Sequence, residues 1–254
     1  WTDDGAGLFP RRLQHGFGLY NPSIVPAPIA GHLLAVVRAS NWHYCPHSGW
    51  DGNWSHVPHH EAQDQQFNRL VVALVRIADW HIVEALLLDF PYQQFRARFQ
   101  EVHSGAVLSE RTIEGLEDAR IYQSPGGRFW LVFSFRTIFV APLRLRLCTV
   151  TREPGCTSTA SVEPSSVMEF TPEALVGHRY RELQAFKNFN LMQFLDESSA
   201  LVEFSVNPQV LLHLDLSSGL WYQVYESQIP QMPLFMESQF FYRGGYCCVG
   251  PVLW

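Results

Sequence analysis

The sequence predicts an all-β fold built on a repeated sheet. Two observations carry this. Short apolar runs bounded by Gly, Pro, Asn and Ser recur along the 254 residues, while helical periodicity is weak. Four stretches also share one plan: a polar cluster, a short strand, a turn and a hydrophobic strand. They are YNPSIVPAPIAGHLLAVVRAS from Tyr20, LEDARIYQSPGGRFWLVFSFR from Leu116, FKNFNLMQFLDESSALVEFSV from Phe186 and YRGGYCCVGPVLW from Tyr242. Sheets repeated radially around an axis make a β-propeller. The first strand of each blade then lines a central funnel, and polar strand heads converge on one pocket. A β-sandwich with ordinary polar strand ends is the competing reading.

Taken in order, HLLAVVRA (32–39), RLVVALVRI (69–77), WHIVEALLL (80–88), RFWLVFSF (128–135), LRLRLCTV (143–150), SALVEFSV (199–206) and QVLLHLDL (209–216) read as strands. Each is rich in β-branched, aliphatic or aromatic residues. PEALVGHRYREL (172–183) reads as a short helix. Residues 41–61 show no strand pattern and read as a long loop over the funnel mouth. Five His, one Cys and three Trp lie there, but their spacing matches no metal motif, and no metal is expected. Trp42, Trp50 and Trp54 suit stacking on sugar rings. Asn53-Trp54-Ser55 is a glycosylation acceptor that matters only in a secretory protein.

Composition narrows the function classes. Hydrophobic residues make up 47% and charged residues 17%, which suits a globular chain with a sizeable core. Eighteen Lys plus Arg stand against 24 Asp plus Glu, with no basic stripe, so no nucleic-acid partner is expected. No apolar run reaches transmembrane length. Aromatics at 14% suit either carbohydrate stacking or a β-rich core. Cys247 and Cys248 are adjacent on an apparent strand and would point to opposite faces, so the five cysteines read as mostly free thiols. The chain opens on Trp1 and closes inside an apparent strand. It reads as one propeller domain over 1–254 with its last blade or blades incomplete. The residues select no compartment and no oligomeric state.

The polar heads carry the chemistry. Glu117, Asp118 and Arg120 open a strand, where alternation puts Asp118 and Arg120 on one face and Glu117 on the other. Lys187, between Phe186 and Asn188, suits phosphate as a point charge. Arg38 ends LLAVVR and Arg243 opens RGG; a guanidinium fork fits phosphate or paired sugar oxygens. Each also has a structural reading: an Asp–Arg seam, a snorkelling lysine, or a salt bridge between blades.

The same clusters carry a resemblance. GLEDARI resembles the EDPR signature of the β-mannoside phosphorylases, family 130 of the glycoside hydrolases. NPSIV…LLAVVR resembles that family's first-blade NPA…YR, and FKNFNLMQF…LVEFSVNP resembles its Lys-containing third-blade strand. RGG resembles a further blade start in related eukaryotic sequences. The kinetoplastid mannosyltransferase/phosphorylases share this architecture. The resemblance implies a five-bladed propeller acting on a sugar or oligosaccharide with a β-mannosidic bond. Inorganic phosphate or mannose 1-phosphate is the implied co-substrate, with no other cofactor. It implies Asp118 as proton donor, with Asn21, Arg38, Glu117, Arg120, Lys187, Asn188 and Arg243 binding substrate or phosphate. Three departures stand out: Ala119 replaces a Pro, Phe189 replaces a Trp and so alters a stacking surface, and the late-blade phosphate-binding His is absent from this sequence.

Related five-bladed hydrolases carry a basic Asp where this chain has Asn21. An amide takes no proton at neutral pH, so phosphorolysis or transfer is favoured over hydrolysis. A hydrolase drawing its base from Asp51, Asp64 or Glu203 is one alternative. A non-catalytic glycan-binding propeller is the other.

Overall fold

The structure is a computed structural model, and it describes residues 18–40, 42–46, 54–58, 68–91, 116–135, 137–148, 154–170, 174, 189–206 and 209–227. The candidate helix at 172–183 lies outside them save for Ala174.

The first sheet begins with β1 (Gly18–Pro26) and β2 (His32–Ser40). A separate hairpin follows, β3 (Trp42–Pro46) with β4 (Trp54–Pro58), and then β5 (Asn68–Arg76) and β6 (Ile82–Leu87). The sheet order is β1-β2-β5-β6, every pair antiparallel. The near-continuous apolar runs of β2 and β5 are what burial on both faces demands. Leu34, Val36, Leu70, Val72 and Leu74 fill one face, and Ala35, Val37, Ala39, Val71 and Ala73 the other. The β3–β4 hairpin corrects the expectation of a strandless loop over 41–61. Its five-rung ladder from Trp42↔Pro58 to Pro46↔Trp54 forms without hydrophobic alternation, because the ladder is made by backbone groups and each arm also carries aromatic residues that favour extended chain.

The second sheet holds β7 (Glu117–Gln123), β8 (Phe129–Phe135), β9 (Thr137–Arg146) and β10 (Thr159–Ser161), in the order β10-β9-β8-β7. A two-residue β11 (Met168–Glu169) pairs with β9. The Pro125-Gly126-Gly127 turn joins β7 to β8, with Gly127 at φ 81° and its N–H donating to the Ser124 carbonyl at 2.9 Å. β9 starts six residues before the apolar run at 143–150, because Thr137-Ile138-Phe139-Val140 already buries every side chain. Beyond β9, Cys148 and Cys156 form a disulfide with Cα atoms 5.6 Å apart. This corrects the reading of mostly free thiols for two of the five. Gly155, next to Cys156, takes a left-handed φ of 75°, which glycine adopts without steric cost.

The third sheet runs β12 (Asn190–Phe194), β13 (Ser199–Val206), β14 (Gln209–Asp215) and β15 (Trp221–Glu226) in chain order, all antiparallel. The fold is therefore all-β, as expected, and built from several antiparallel sheets. Among the described residues no sheet closes on itself, and no helix is long and apolar enough to cross a membrane.

The chain divides into two compact units, 1–121 with 143–166, and 122–142 with 167–254. In the first, the Ala35–Val37–Ala73–Val75–Ile82 cluster packs one face of the first sheet. In the second, the core joins Trp130, Val132, Ile138 and Val140 to Phe170, Phe189, Leu191, Phe204, Leu212 and Trp221. Phe170 meets Phe189 edge-on at 4.9 Å and Trp221 at 5.4 Å. Such pairs are each worth about 1 kcal/mol beyond their buried area. Phe189 is thus a core residue, 1% exposed, which corrects its assignment to a stacking surface. It sits one residue before β12, where the inward face of the strand begins.

Candidate functional site

The site in the first unit is built from three strands. Asn21 sits in a bulge of β1, where the register to β2 shifts between Tyr20 and Ser23. Arg38 lies opposite Tyr20 on β2, and Asp118 is the second residue of β7. Asn21 Nδ2 donates to Asp118 Oδ1 at 2.5 Å, and Arg38 Nη1 donates to the same oxygen at 2.8 Å. Arg38 is nearly buried and Asp118 partly so, with side-chain exposures of 9% and 18%. The Arg38 guanidinium carbon also lies 5.3 Å from the centre of the Tyr20 ring, a cation–π distance.

Asn21 and Asp118 are both left-handed, at φ 48°. Asn and Asp tolerate that region best among residues with a Cβ, so the backbone contributes to the choice of both. Left-handed non-glycine residues carry strain that surrounding contacts must hold. Those contacts are visible: below the carboxylate, Ile121 N–H donates to Ser23 Oγ at 3.1 Å. Rising residue numbers on β1 meet rising numbers on β7, so the two strand heads run side by side in the same sense.

Both donors reach Oδ1. Among the described residues no hydrogen bond or ion pair is made by Oδ2. The carboxyl group is therefore anchored through one oxygen.

Arg38 continues into a polar row on its face of the sheet. Ser40 is two residues further along β2 and Asn68 is its cross-strand partner on β5. Ser40 Oγ donates to Asn68 Oδ1 at 2.5 Å, and the buried Asn68 Nδ2 has no hydrogen-bond partner among the described residues. Sequence reasoning missed Ser23, Ser40 and Asn68. An Asn opening a strong apolar strand was the available signal for the last.

Glu117, Asp118 and Arg120 are half-buried on β7, while Ala119 and Ile121, on either side of Arg120, are buried. From Asp118 to Tyr122 burial alternates, whereas Glu117 and Asp118 are both half-buried. The ion pair at Asp118 comes from Arg38, 80 positions away. Lys187, Asn188 and Arg243 lie outside the described residues, as do Asp51 and Asp64. Glu203 is described: it is buried on β13, accepting from Asn190 Nδ2 at 3.4 Å and Gln209 Nε2 at 3.2 Å. Among the described residues no group of His, Cys, Asp and Glu gathers as a metal ion would need.

No protein-family model, no curated protein and no solved structure matches the chain.

Chemically, the first-unit cluster offers a partly buried carboxyl group whose Oδ1 is held by a guanidinium and an amide. Such a group can exchange a proton with, or accept a hydrogen bond from, a hydroxyl or ether oxygen of a ligand.

Proposed function

We propose that the three sheets are blades of a five-bladed propeller and that the protein is a glycoside phosphorylase or mannosyltransferase acting on β-mannosides. Two neighbour relations support the radial repeat. In the first unit the heads of β1 and β7 lie side by side through Asn21–Asp118 and Ser23–Ile121. In the second unit Leu191 N–H of β12 donates to Tyr122 Oη of β7 at 3.3 Å. There, too, Glu197 in the β12–β13 turn accepts from Ser124 Oγ and Gly126 N–H in the β7–β8 turn. Like parts of successive sheets meet like parts, as blades around an axis do.

The observation that carries the chemistry is the Asn21–Asp118 hydrogen bond at 2.5 Å. An inverting hydrolase separates its acid and base by about 6.5–9.5 Å to hold a water between them. Here the first-blade residue touches the acid and is an amide. It can donate but cannot activate water. A nucleophile that arrives already ionised, such as phosphate, needs no such base. In phosphorolysis a phosphate oxygen attacks the anomeric carbon and the glycosidic C–O bond breaks. Asp118 passes its proton through Oδ2 to the departing oxygen. Mannose 1-phosphate and an acceptor run the same step backwards.

The test is phosphate release from mannose 1-phosphate with a panel of mannose and glucose acceptors, repeated with Asp118→Asn. Release that vanishes in the variant supports the reading. Sugar release in phosphate-free buffer would instead indicate a hydrolase. The Ser23–Ile121 bond beside the ion pair favours a second reading, a non-catalytic glycan-binding propeller in which Asp118 closes a seam. That reading expects sugar binding to survive Asp118→Asn, with no turnover in either protein.

A further inference from the structure

One turn of the first unit carries a residue that the fold itself does not ask for. The β5–β6 connection, 77–80, is closed by the Arg76 N–H donating to the His81 carbonyl at 2.8 Å. Trp80, just before that carbonyl, is left-handed at φ 57° and 67% exposed, the most exposed large apolar side chain among the described residues. A bulky side chain at positive φ is a steric outlier. An indole left in water adds nothing to the core.

Two other hairpins show what this turn ordinarily takes. The β1–β2 turn is closed from the Ala27 N–H to the His32 carbonyl, and the β14–β15 turn from the Asp215 N–H to the Leu220 carbonyl, each spanning the same five positions as Arg76 to His81. In both, the residue before the carbonyl is again left-handed, and it is Gly31 at φ 75° and Gly219 at φ 73°. Glycine takes that conformation without steric cost. The chain therefore builds one turn twice with Gly and once with Trp. The other left-handed non-glycine residues among those described are Asn21 and Asp118, the pair at the candidate site. Strain of this kind gathers where ligands are held.

The backbone that carries Trp80 is fixed on both sides. Asp79 accepts from Arg76 Nε at 3.0 Å and Nη2 at 2.7 Å, and from the His81 N–H at 3.1 Å. The Ile77 N–H donates to the Gly31 carbonyl of the neighbouring turn at 2.9 Å. A turn ordered in advance lowers the cost of binding. Within 77–80 only Ile77 adds a second large exposed apolar side chain, while Arg76, Asp79 and His81 are exposed and polar. That is narrower than the apolar patches that dock proteins, and a charged pair resists entry into hydrocarbon. One exposed ring bordered by hydrogen-bonding groups fits a pyranose, which has an apolar C–H face and a rim of hydroxyls.

We infer that Trp80 is a stacking platform for a pyranose unit of an oligosaccharide, at a site separate from Asp118. Leu70 pairs with Arg38, and Arg76 lies six positions further along β5, about 20 Å away. The platform thus stands at the opposite end of the first sheet from the Arg38–Asp118 pair, where it holds a distant unit of a long glycan. The inference rests on the carbohydrate part of the proposed function, and not on phosphate chemistry.

The test is isothermal titration of the full chain with β-1,4-linked mannohexaose and cellohexaose in phosphate-free buffer, for the parent and for Trp80→Gly, Trp80→Asn and Trp80→Tyr. The parent is expected to bind at least one hexasaccharide. Trp80→Gly and Trp80→Asn should weaken that binding about tenfold, the scale of one lost stacking contact. Their Tm should stay within about 2 °C of the parent or rise, because Gly and Asn relieve the left-handed strain. Trp80→Tyr keeps an aromatic face and should retain most of the affinity. Unchanged affinity in Trp80→Gly and Trp80→Asn overturns the inference. So does a fall in Tm without a change in affinity, which would mark Trp80 as structural. Equal losses in Trp80→Tyr and Trp80→Gly, or no binding of either hexasaccharide by the parent, overturn it too. Trp80-dependent co-sedimentation with phosphatidylcholine–phosphatidylserine vesicles in place of sugar binding would overturn it in favour of a membrane surface. Hexasaccharide binding through Trp80 by a parent that releases no phosphate from mannose 1-phosphate removes the enzyme reading and leaves the platform standing. Phosphate release by a parent whose affinity ignores Trp80 does the reverse.

Discussion

Asn21 and Asp118 stand 97 positions apart, share a left-handed backbone at φ 48°, and meet in one amide-to-carboxylate hydrogen bond. Two strained residues are held against each other where two strand heads run together. The strain and the contact can be separated by substitution. Asn21→Gly keeps the backbone accessible and loses only the hydrogen bond, about 1 kcal/mol. Asn21→Ala loses the bond and adds about 1 kcal/mol of left-handed strain. Urea unfolding should therefore rank parent, then Gly, then Ala. Equal stability of the Gly and Ala variants would contradict the positive φ.

The Arg38–Asp118 pair is nearly buried on the arginine side. Arg38→Met leaves the carboxylate with Asn21 alone and should cost about 3 kcal/mol, as removing one member of a buried pair does. Asp118→Leu should cost a similar amount. The double variant carries no orphaned charge, and its loss should fall well short of the sum. A chemical-denaturation cycle over the four proteins measures this, and strict additivity would mean the pair is not coupled.

Three turn carboxylates make stability depend on acid. Asp79 is held down to about 2 by the Arg76 hydrogen bond and the His81 N–H. Asp196 and Asp215 lie below the ordinary range because serine hydroxyls and backbone N–H groups donate to them, from Ser198 and Ser199 in one case and Ser217 and Ser218 in the other. A carboxylate with a lowered folded pKa binds fewer protons folded than unfolded. Its contribution is complete above the unfolded value near pH 4 and is lost as pH falls through the folded value. The urea midpoint should drop between pH 5 and pH 2. Asp215→Asn should be less stable than parent at pH 7, with the gap narrowing below about pH 4.

The Cys148–Cys156 bridge closes a loop of eight positions. Chain-entropy arguments give such a loop about 2 kcal/mol. The oxidised protein should leave both residues unreactive to iodoacetamide until reduced. A Cys148→Ser/Cys156→Ser variant should lose about that stability relative to oxidised parent and match reduced parent. Full labelling without reductant would show that the bridge does not form.

The strands that form the cores were legible because their alternation or continuity is local. β14 buries Val210, Leu212 and Leu214 and half-exposes Leu211 and His213, a period of two written directly in QVLLHLD. The turns at Gly31 and Gly127 were legible for the same reason, since a positive φ asks for glycine. What could not be read was contact at long range. Nothing within seven residues of Asp118 says that its ion pair comes from Arg38 rather than from Arg120, two positions on. Nor does local spacing say that Phe189 faces Phe170 and Phe204 instead of a ligand. The β3–β4 pairing escaped because prolines and histidines interrupt every pattern used to find strands, while backbone hydrogen bonds need no pattern once two arms lie side by side.

That hairpin departs from the first sheet and the chain returns at the same rung: Ser40 and Asn68, the residues that flank the excursion, are cross-strand partners and share a side-chain hydrogen bond. The sheet is sealed at that rung whatever is spliced between. A flexible insert at such a position adds only about 0.6 kcal/mol of closure cost for each doubling of its length. The gap between β2 and β5 is accordingly a socket in the architecture. It is a place where a different segment can be grafted without re-solving the fold beneath.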